Sequence, residues 1–146
     1  FYSVPLASIS GYTYIPLAYR QIGSLKFHEY GSLLWGSQLG WVEQSVDAPD
    51  AKGKLNFENL TDFRRQQHDL FLGGRFIQEI IPTGDNPTQE IPNYEITSVV
   101  LAAEWASVSG EHVYLIVNMS EQEHKVTLPN KKQITVKALD AIRISK

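Results

Sequence analysis

There is no cysteine among the 146 residues, which excludes disulfides, thiolate nucleophiles and Cys-based zinc or iron–sulfur sites. No stretch approaches the roughly 18 consecutive apolar residues that a membrane-spanning helix needs, so no membrane span is expected. An excess of one charge is missing too: 13 basic side chains stand against 16 acidic ones, a net charge of -3. With Lys and Arg evenly spread, the chain offers no electrostatic footprint for nucleic acid or an anionic membrane. The opening FYSVPLASISGY has no initiator Met and no basic stretch before its first apolar run. It does not have the form of an intact signal peptide, and it reads as the remainder of a longer or processed product. Apolar material is ample, at 42% of residues. A chain of this length removes roughly two-thirds of its extended surface from water on folding, which suits one domain, or a small domain plus a tail.

Charge and pattern change together near residue 90. Residues 1–95 carry 7 basic and 11 acidic groups, and residues 96–146 carry 6 and 5. The second part reads as strands: ITSVVLAAEW (96–105) and HVYLIVNMS (112–120) are β-branched and aromatic runs separated by the turn-prone VSGE, a hairpin signal. HKVTLP (124–129), QITVKAL (133–139) and AIRIS (141–145) follow, with Val126, Leu128, Ile134 and Val136 alternating with polar residues. That period of two places one face inward and one in water. Five short strands joined by tight turns predict an antiparallel sheet or small sandwich over 91–146.

The segment 1–90 is mixed. LTDFRRQQHDLFLGGRFIQEI (60–80) has the strongest helical spacing, with Asn59 or Thr61 as cap, and Gly73-Gly74 either kinks it or ends and restarts it. Pro82 stops it, and TGDNPTQEIPNY (83–94) is the expected connector. Upstream, KFHEYGSLLWGSQLGWVE (26–43) suits a buried strand emerging into a loop, because glycine, leucine and tryptophan are interleaved. Residues 46–58 read as a loop. The fold class is therefore α+β: a mixed segment with one main helix, then a C-terminal antiparallel β-sandwich.

Polar groups that could carry chemistry gather in two places: His28, Glu29, Gln38, Trp41 and Glu43 around the glycine-rich segment, and Arg64, Arg65, His68, Asp69 and Arg75 on the helix. A two-carboxylate hydrolase holds its acids about 5 to 10 Å apart across a sugar ring. Glu29 and Glu43 are the candidates, with Asp47 as another partner for Glu29; the plainer role is to solvate loop ends or pair with Arg64 and Arg65. Arg65 and Asp69 are four apart and are expected to form a structural ion pair along one helix face. His28 and His68 have no HExxH-like partner and no GxGxxG or Walker-type loop occurs, so neither metal nor cofactor is expected. Trp35 within SLLWGS reads as core. Trp41, after Leu39-Gly40, could line a sugar pocket, since indole faces stack on apolar faces of rings. NLT (59–61) and NMS (118–120) fit the glycosylation sequon.

LLWGSQLGW (33–41), followed by an acidic loop and the arginine-bearing FRRQQHDLFLGGRFIQE (63–79), resembles the end of the catalytic barrel in large glycoside-hydrolase-like bacterial proteins. IPNYEITSVVLAAEW and GEHVYLIVNMSEQEHKVTL are similar to the β-sandwich that follows such barrels. The resemblance implies that Gln38 and Trp41 lie at the rim of a sugar site and that Arg64 and Arg75 belong to a structural helix. It implies carbohydrate as partner and a secreted or periplasmic bacterial setting, but brings no catalytic acid or nucleophile onto a residue of this chain. A (β/α)8 barrel needs on the order of 250 residues, so residues 1–90 can supply only its last units. Exposed edges and apolar faces left by the missing units would then be covered by a second copy or a partner subunit. The expected function is thus the C-terminal part of a glycoside hydrolase, mainly structural in this piece. The alternative is a β-sandwich module binding carbohydrate or protein through Trp41, Trp105 or Tyr114.

Overall fold

The computed structural model describes residues 25–36, 51–90 and 96–146. Three helices, α1 (Leu25–Leu34), α2 (Ala51–Gln66) and α3 (His68–Phe71), precede nine strands: β1 (Arg75–Ile80), β2 (Thr83–Gly84), β3 (Thr88–Glu90), β4 (Ile96–Ser98), β5 (Val100–Ala106), β6 (His112–Asn118), β7 (His124–Thr127), β8 (Gln133–Val136) and β9 (Ala141–Ser145). The strands form a four-stranded sheet in the order β1-β5-β6-β9, a three-stranded sheet β2-β7-β8 and the pair β3-β4. All strand pairs are antiparallel. Among the described residues there is neither a barrel nor a closed sandwich.

The four-stranded sheet is the middle layer. Leu101, Ala103, Trp105, Val113, Leu115 and Val117 point to one face and pack with Tyr30, Leu33 and Leu34 of α1, Leu60 of α2 and Leu70 and Phe71 of α3. Val100, Ala102, Tyr114 and Ile116 point to the other face, against Val126, Ile134 and Val136 of the small sheet. Covering on both sides explains why β5 and β6 are continuous apolar runs with almost every residue buried. The small sheet is covered on one side, and β7 and β8 alternate buried and exposed positions, as their sequence period requires.

Four expectations are corrected. The strand predicted within 26–43 is the helix α1 at its start: Tyr30, Leu33 and Leu34, three and four apart, are all fully buried, which is a helical stripe. Gly31 misleads because it serves packing; a Cβ there would lie 3.0 Å from the Trp35 ring. The predicted loop 46–58 becomes helical from Ala51. The helix predicted over 60–80 ends by Phe71 and the chain continues as the strand β1. Gly73 has φ +112, a conformation that L side chains rarely adopt, and a Cβ on Gly74 would lie 2.8 Å from the Ala106 carbonyl oxygen. The two glycines are thus a helix-to-strand corner. Finally, the connector 83–94 contributes β2 and β3 within its described part, and β1 pairs with β5. The sheets therefore reach back across the expected boundary at residues 90/91.

Where the ladder at the β1–β5 corner stops, Asn86 replaces it. Its amide donates to the Pro82 and Val100 carbonyls at 2.8 and 2.9 Å and accepts from the Val100 N–H at 2.9 Å. This satisfies backbone groups that burial would otherwise leave costly.

Candidate functional site

Among the described residues, side chains fasten the helices to the middle sheet at two places. At the first, Trp105 of β5 is buried and its indole N–H donates to the Leu34 carbonyl at 2.9 Å. Phe71 and Phe76 meet its ring edge-on at 5.2 and 5.5 Å between centroids. Gly36, at φ +71, ends α1 so closely over this ring that a Cβ would lie 2.9 Å from it. Arg64 donates to the Gly36 carbonyl at 3.3 Å and stacks over Phe71, so it is a structural arginine of the helix end.

At the second place, Arg143 of β9 grips Asp69 of α3 with two parallel hydrogen bonds of 2.9 Å and reaches Gln67 Oε1 at 3.2 Å and Glu111 at 3.3 Å. The bidentate fork is the strong form of such a pair. Its hydrogen bonds hold the Asp69 carboxyl below its ordinary value and raise Arg143. The expected Arg65–Asp69 pair is not what forms. Arg65 donates to Asp62 at 3.1 Å on the exposed helix surface, because the break at Gln67 between α2 and α3 removes the i,i+4 geometry.

A third polar cluster lies on the opposite face of the sheet. Glu104, in the middle of β5, is buried and accepts from Gln78 Nε2 at 2.8 Å, His112 Nδ1 at 2.8 Å and Lys146 Nζ at 2.7 Å. Burial alone would raise its carboxyl, but the hydrogen bonds from Lys146, His112 and Gln78 and the Lys146 charge outweigh it and hold the pKa at about 2. A carboxylate so fully engaged anchors strand ends and does not exchange protons near neutrality.

A fourth cluster has the hydrogen-bond order of a hydrolase triad: Asp85 lies 3.1 Å from His124 Nδ1, and His124 Nε2 lies 2.9 Å from Ser120 Oγ. Ser120 Oγ also accepts from the Gln122 N–H at 3.1 Å and lies 2.9 Å from the Gln122 carbonyl. These are the bonds of a tight serine turn, and the buried imidazole ties that turn to β2.

A crevice of about 290 Å³ opens between α2 and the turn before β9, lined on one side by Asn59, Asp62, Phe63 and Gln66 and on the other by Leu139 and Asp140.

Of the residues that the sequence singles out, Glu29 is half-buried on α1, while Glu43, Gln38 and Trp41 lie outside the described residues, as does Asp47. Trp35 is core, as its surroundings suggest. Trp105 and Tyr114 are both buried and belong to opposite faces of the sheet, which corrects the idea that either presents a binding platform. The sequon at Asn118 is closed: the amide is buried and donates to the Gln122, Val136 and Lys137 carbonyls at 2.7 to 3.2 Å. Asn59 is exposed. Among the described residues no group of three His, Asp or Glu side chains could hold a metal ion, and no helix is long and apolar enough to cross a membrane. Glu104 and Arg143 are the fastening polar residues that sequence reasoning passes over. The signal was there, since each interrupts an apolar strand with a charge that must find a partner.

No family model matches the chain, and no solved structure matches it. Over 139 residues, 94% of its length, it is 84% identical to a Bacteroides thetaiotaomicron protein described as "Putative glycoside hydrolase". That protein is a close relative. The chain spans only 21% of its length, so the likeness covers nearly all of this chain and about a fifth of the relative.

Proposed function

We propose that the chain is the C-terminal region of a carbohydrate-active, glycoside-hydrolase-like protein, comprising the end of a catalytic barrel and the β-domain that follows it, and that this region is structural. The observation that carries the reading is the 84% identity to a protein described as "Putative glycoside hydrolase" of which the chain spans 21%. The architecture supports a structural role, because the polar clusters are spent on fastening. Arg143 ties α3 to β9, Trp105 ties the end of α1 to β5, and Glu104 gathers Gln78 of β1, the start of β6 and the residue after β9. In this reading the catalytic carboxylates belong to other parts of the longer protein, Gln38 and Trp41 stand at the rim of its sugar site, and its remaining barrel units or a partner cover the helical layer. The setting is the periplasm or the exterior of a bacterium.

Aryl glycosides and oligosaccharides offered separately to the 146-residue chain and to the longer relative test this. Hydrolysis is expected from the longer protein and none from the chain. Turnover by the chain alone, abolished in Glu29→Gln or Glu43→Gln, would sink the structural role, and inactivity of the longer protein on every carbohydrate would sink the hydrolase reading.

A further inference from the structure

We propose that the crevice between α2 and the turn before β9 binds a single neutral sugar ring. Its volume of about 290 Å³ lies just below the range of ligand pockets, about 300 to 1,000 Å³, and so suits one ring and not a chain of them. The lining chemistry selects the ligand. Among the lining residues Asn59 and Gln66 carry amides, each both donor and acceptor, and Asp62 and Asp140 carry carboxylates, each with one oxygen accepting, from Arg65 and from the Ala141 N–H, and a second that can accept from a hydroxyl. Phe63 and Leu139 supply apolar wall for the C–H face of a ring.

Other ligand classes fit less well. Two carboxylates disfavour phosphates and acidic sugars, and the guanidinium of Arg65 is already engaged with Asp62. A hard cation wants six or more oxygen ligands, and no cluster of three acidic or histidine side chains is present among the described residues. A neutral polyol uses both the amides and the carboxylates. The turn wall is held firmly: Leu139 has φ +52, its N–H donates to the Ser120 carbonyl, and the Asp140 carbonyl accepts from the Asn118 N–H, both at 2.9 Å. One Asp140 oxygen accepts from the Ala141 N–H at 2.9 Å. The site deepens the carbohydrate-active reading and rests on it for the choice of a sugar among neutral polyols.

The test is a ¹H–¹⁵N NMR titration of the 146-residue chain with the methyl pyranosides of glucose, galactose, mannose and xylose, and separately with calcium chloride. At least one glycoside is expected to shift the Asn59 and Gln66 side-chain amides and the Ala141 backbone amide saturably in the millimolar range. Gln66→Ala and Asn59→Ala, at exposed helical positions where alanine is the better helix former, keep the fold and each weaken binding roughly three- to tenfold, as loss of one hydrogen bond does. The site is overturned by no shift with any glycoside, by unchanged affinity in both variants, or by shifts with calcium alone. A silent crevice beside a hydrolytically active longer relative removes only the site, whereas an inactive longer relative removes the hydrolase reading whatever the titration shows.

Discussion

Glu104 sets how the molecule responds to acid. Its carboxyl titrates at about 2 when folded, against an ordinary value of 4.5, so the folded state favours the ionised form. The sign follows from linkage: a depressed carboxyl contributes stability that is complete above the unfolded pKa and is lost as pH falls through the folded one. At about 1.4 kcal/mol for each unit, and allowing for the half-exposed Lys146 and His112 partners, the contribution is on the order of 2 kcal/mol at pH 7. Glu104→Gln is therefore expected to unfold at lower urea at pH 7, with the gap to the unsubstituted chain closing between pH 4.5 and pH 2. A gap that stays constant over that range would show that the charge is not what stabilises. Asp69, also held below its ordinary value by Arg143, adds acid sensitivity of the same sign. Asn118 is the neutral counterpart. Its amide serves three carbonyls, and Asn118→Ala leaves buried acceptors unpaired, at a cost of about 3 kcal/mol, measurable as a fall in the urea midpoint with an unchanged slope.

Among the elements, the corner between α3 and β1 depends most on single residues. Gly74→Ala brings a Cβ against the Ala106 carbonyl at 2.8 Å, and the neighbour is backbone that cannot swing aside. Gly73→Ala meets only the Val108 side chain at 3.4 Å but must hold φ +112. Both destabilise. We expect the Gly74 variant to lose more, about 2–3 kcal/mol against about 1–2 kcal/mol, and equal losses would mean that backbone angle and not crowding decides the corner. The same pair shows what was legible in the sequence. Strands β5 to β9 were visible because alternation and apolar runs act locally, and Val126, Leu128, Ile134 and Val136 announced their buried face. Residues 75–80 were not, because Phe76, Ile77 and Ile80 fit a helical spacing as well as a strand's, and only the positive φ of Gly73 and the pairing with β5 decide between them. The buried stripe of α1 was hidden by glycines that serve Trp35 and Trp105. In the candidate site, Arg64 lies on a helix as the resemblance implies, but Arg75, expected on the same helix, begins the strand β1, and the partner of Asp69 could not be guessed, since Arg143 is 74 positions away.

At the scale of the whole molecule, three layers share one middle sheet, and that arrangement decides where the chain can be cut. A piece beginning at residue 91 loses β1, β2 and β3, which leaves one edge of β5 open, takes β2 from one edge of β7, whose other edge keeps β8, and removes the partner of β4; open edges favour association. A piece beginning at residue 73 keeps every strand but uncovers the face carrying Leu101, Trp105, Val113, Leu115 and Val117, which α1, α2 and α3 bury. Continuous apolar surface of that kind drives self-association. The 91–146 piece is expected to lack a cooperative thermal transition. The 73–146 piece is expected to show β circular dichroism, bind more of a hydrophobic dye than the 146-residue chain and elute from a sizing column larger than a monomer. Cooperative unfolding of 91–146 at the midpoint of the 146-residue chain would place the structural boundary at 90/91 after all. A monomeric 73–146 piece with no added dye binding would mean that the helical layer contributes little to the core, and that fastening through Arg143 and Trp105 is incidental to stability.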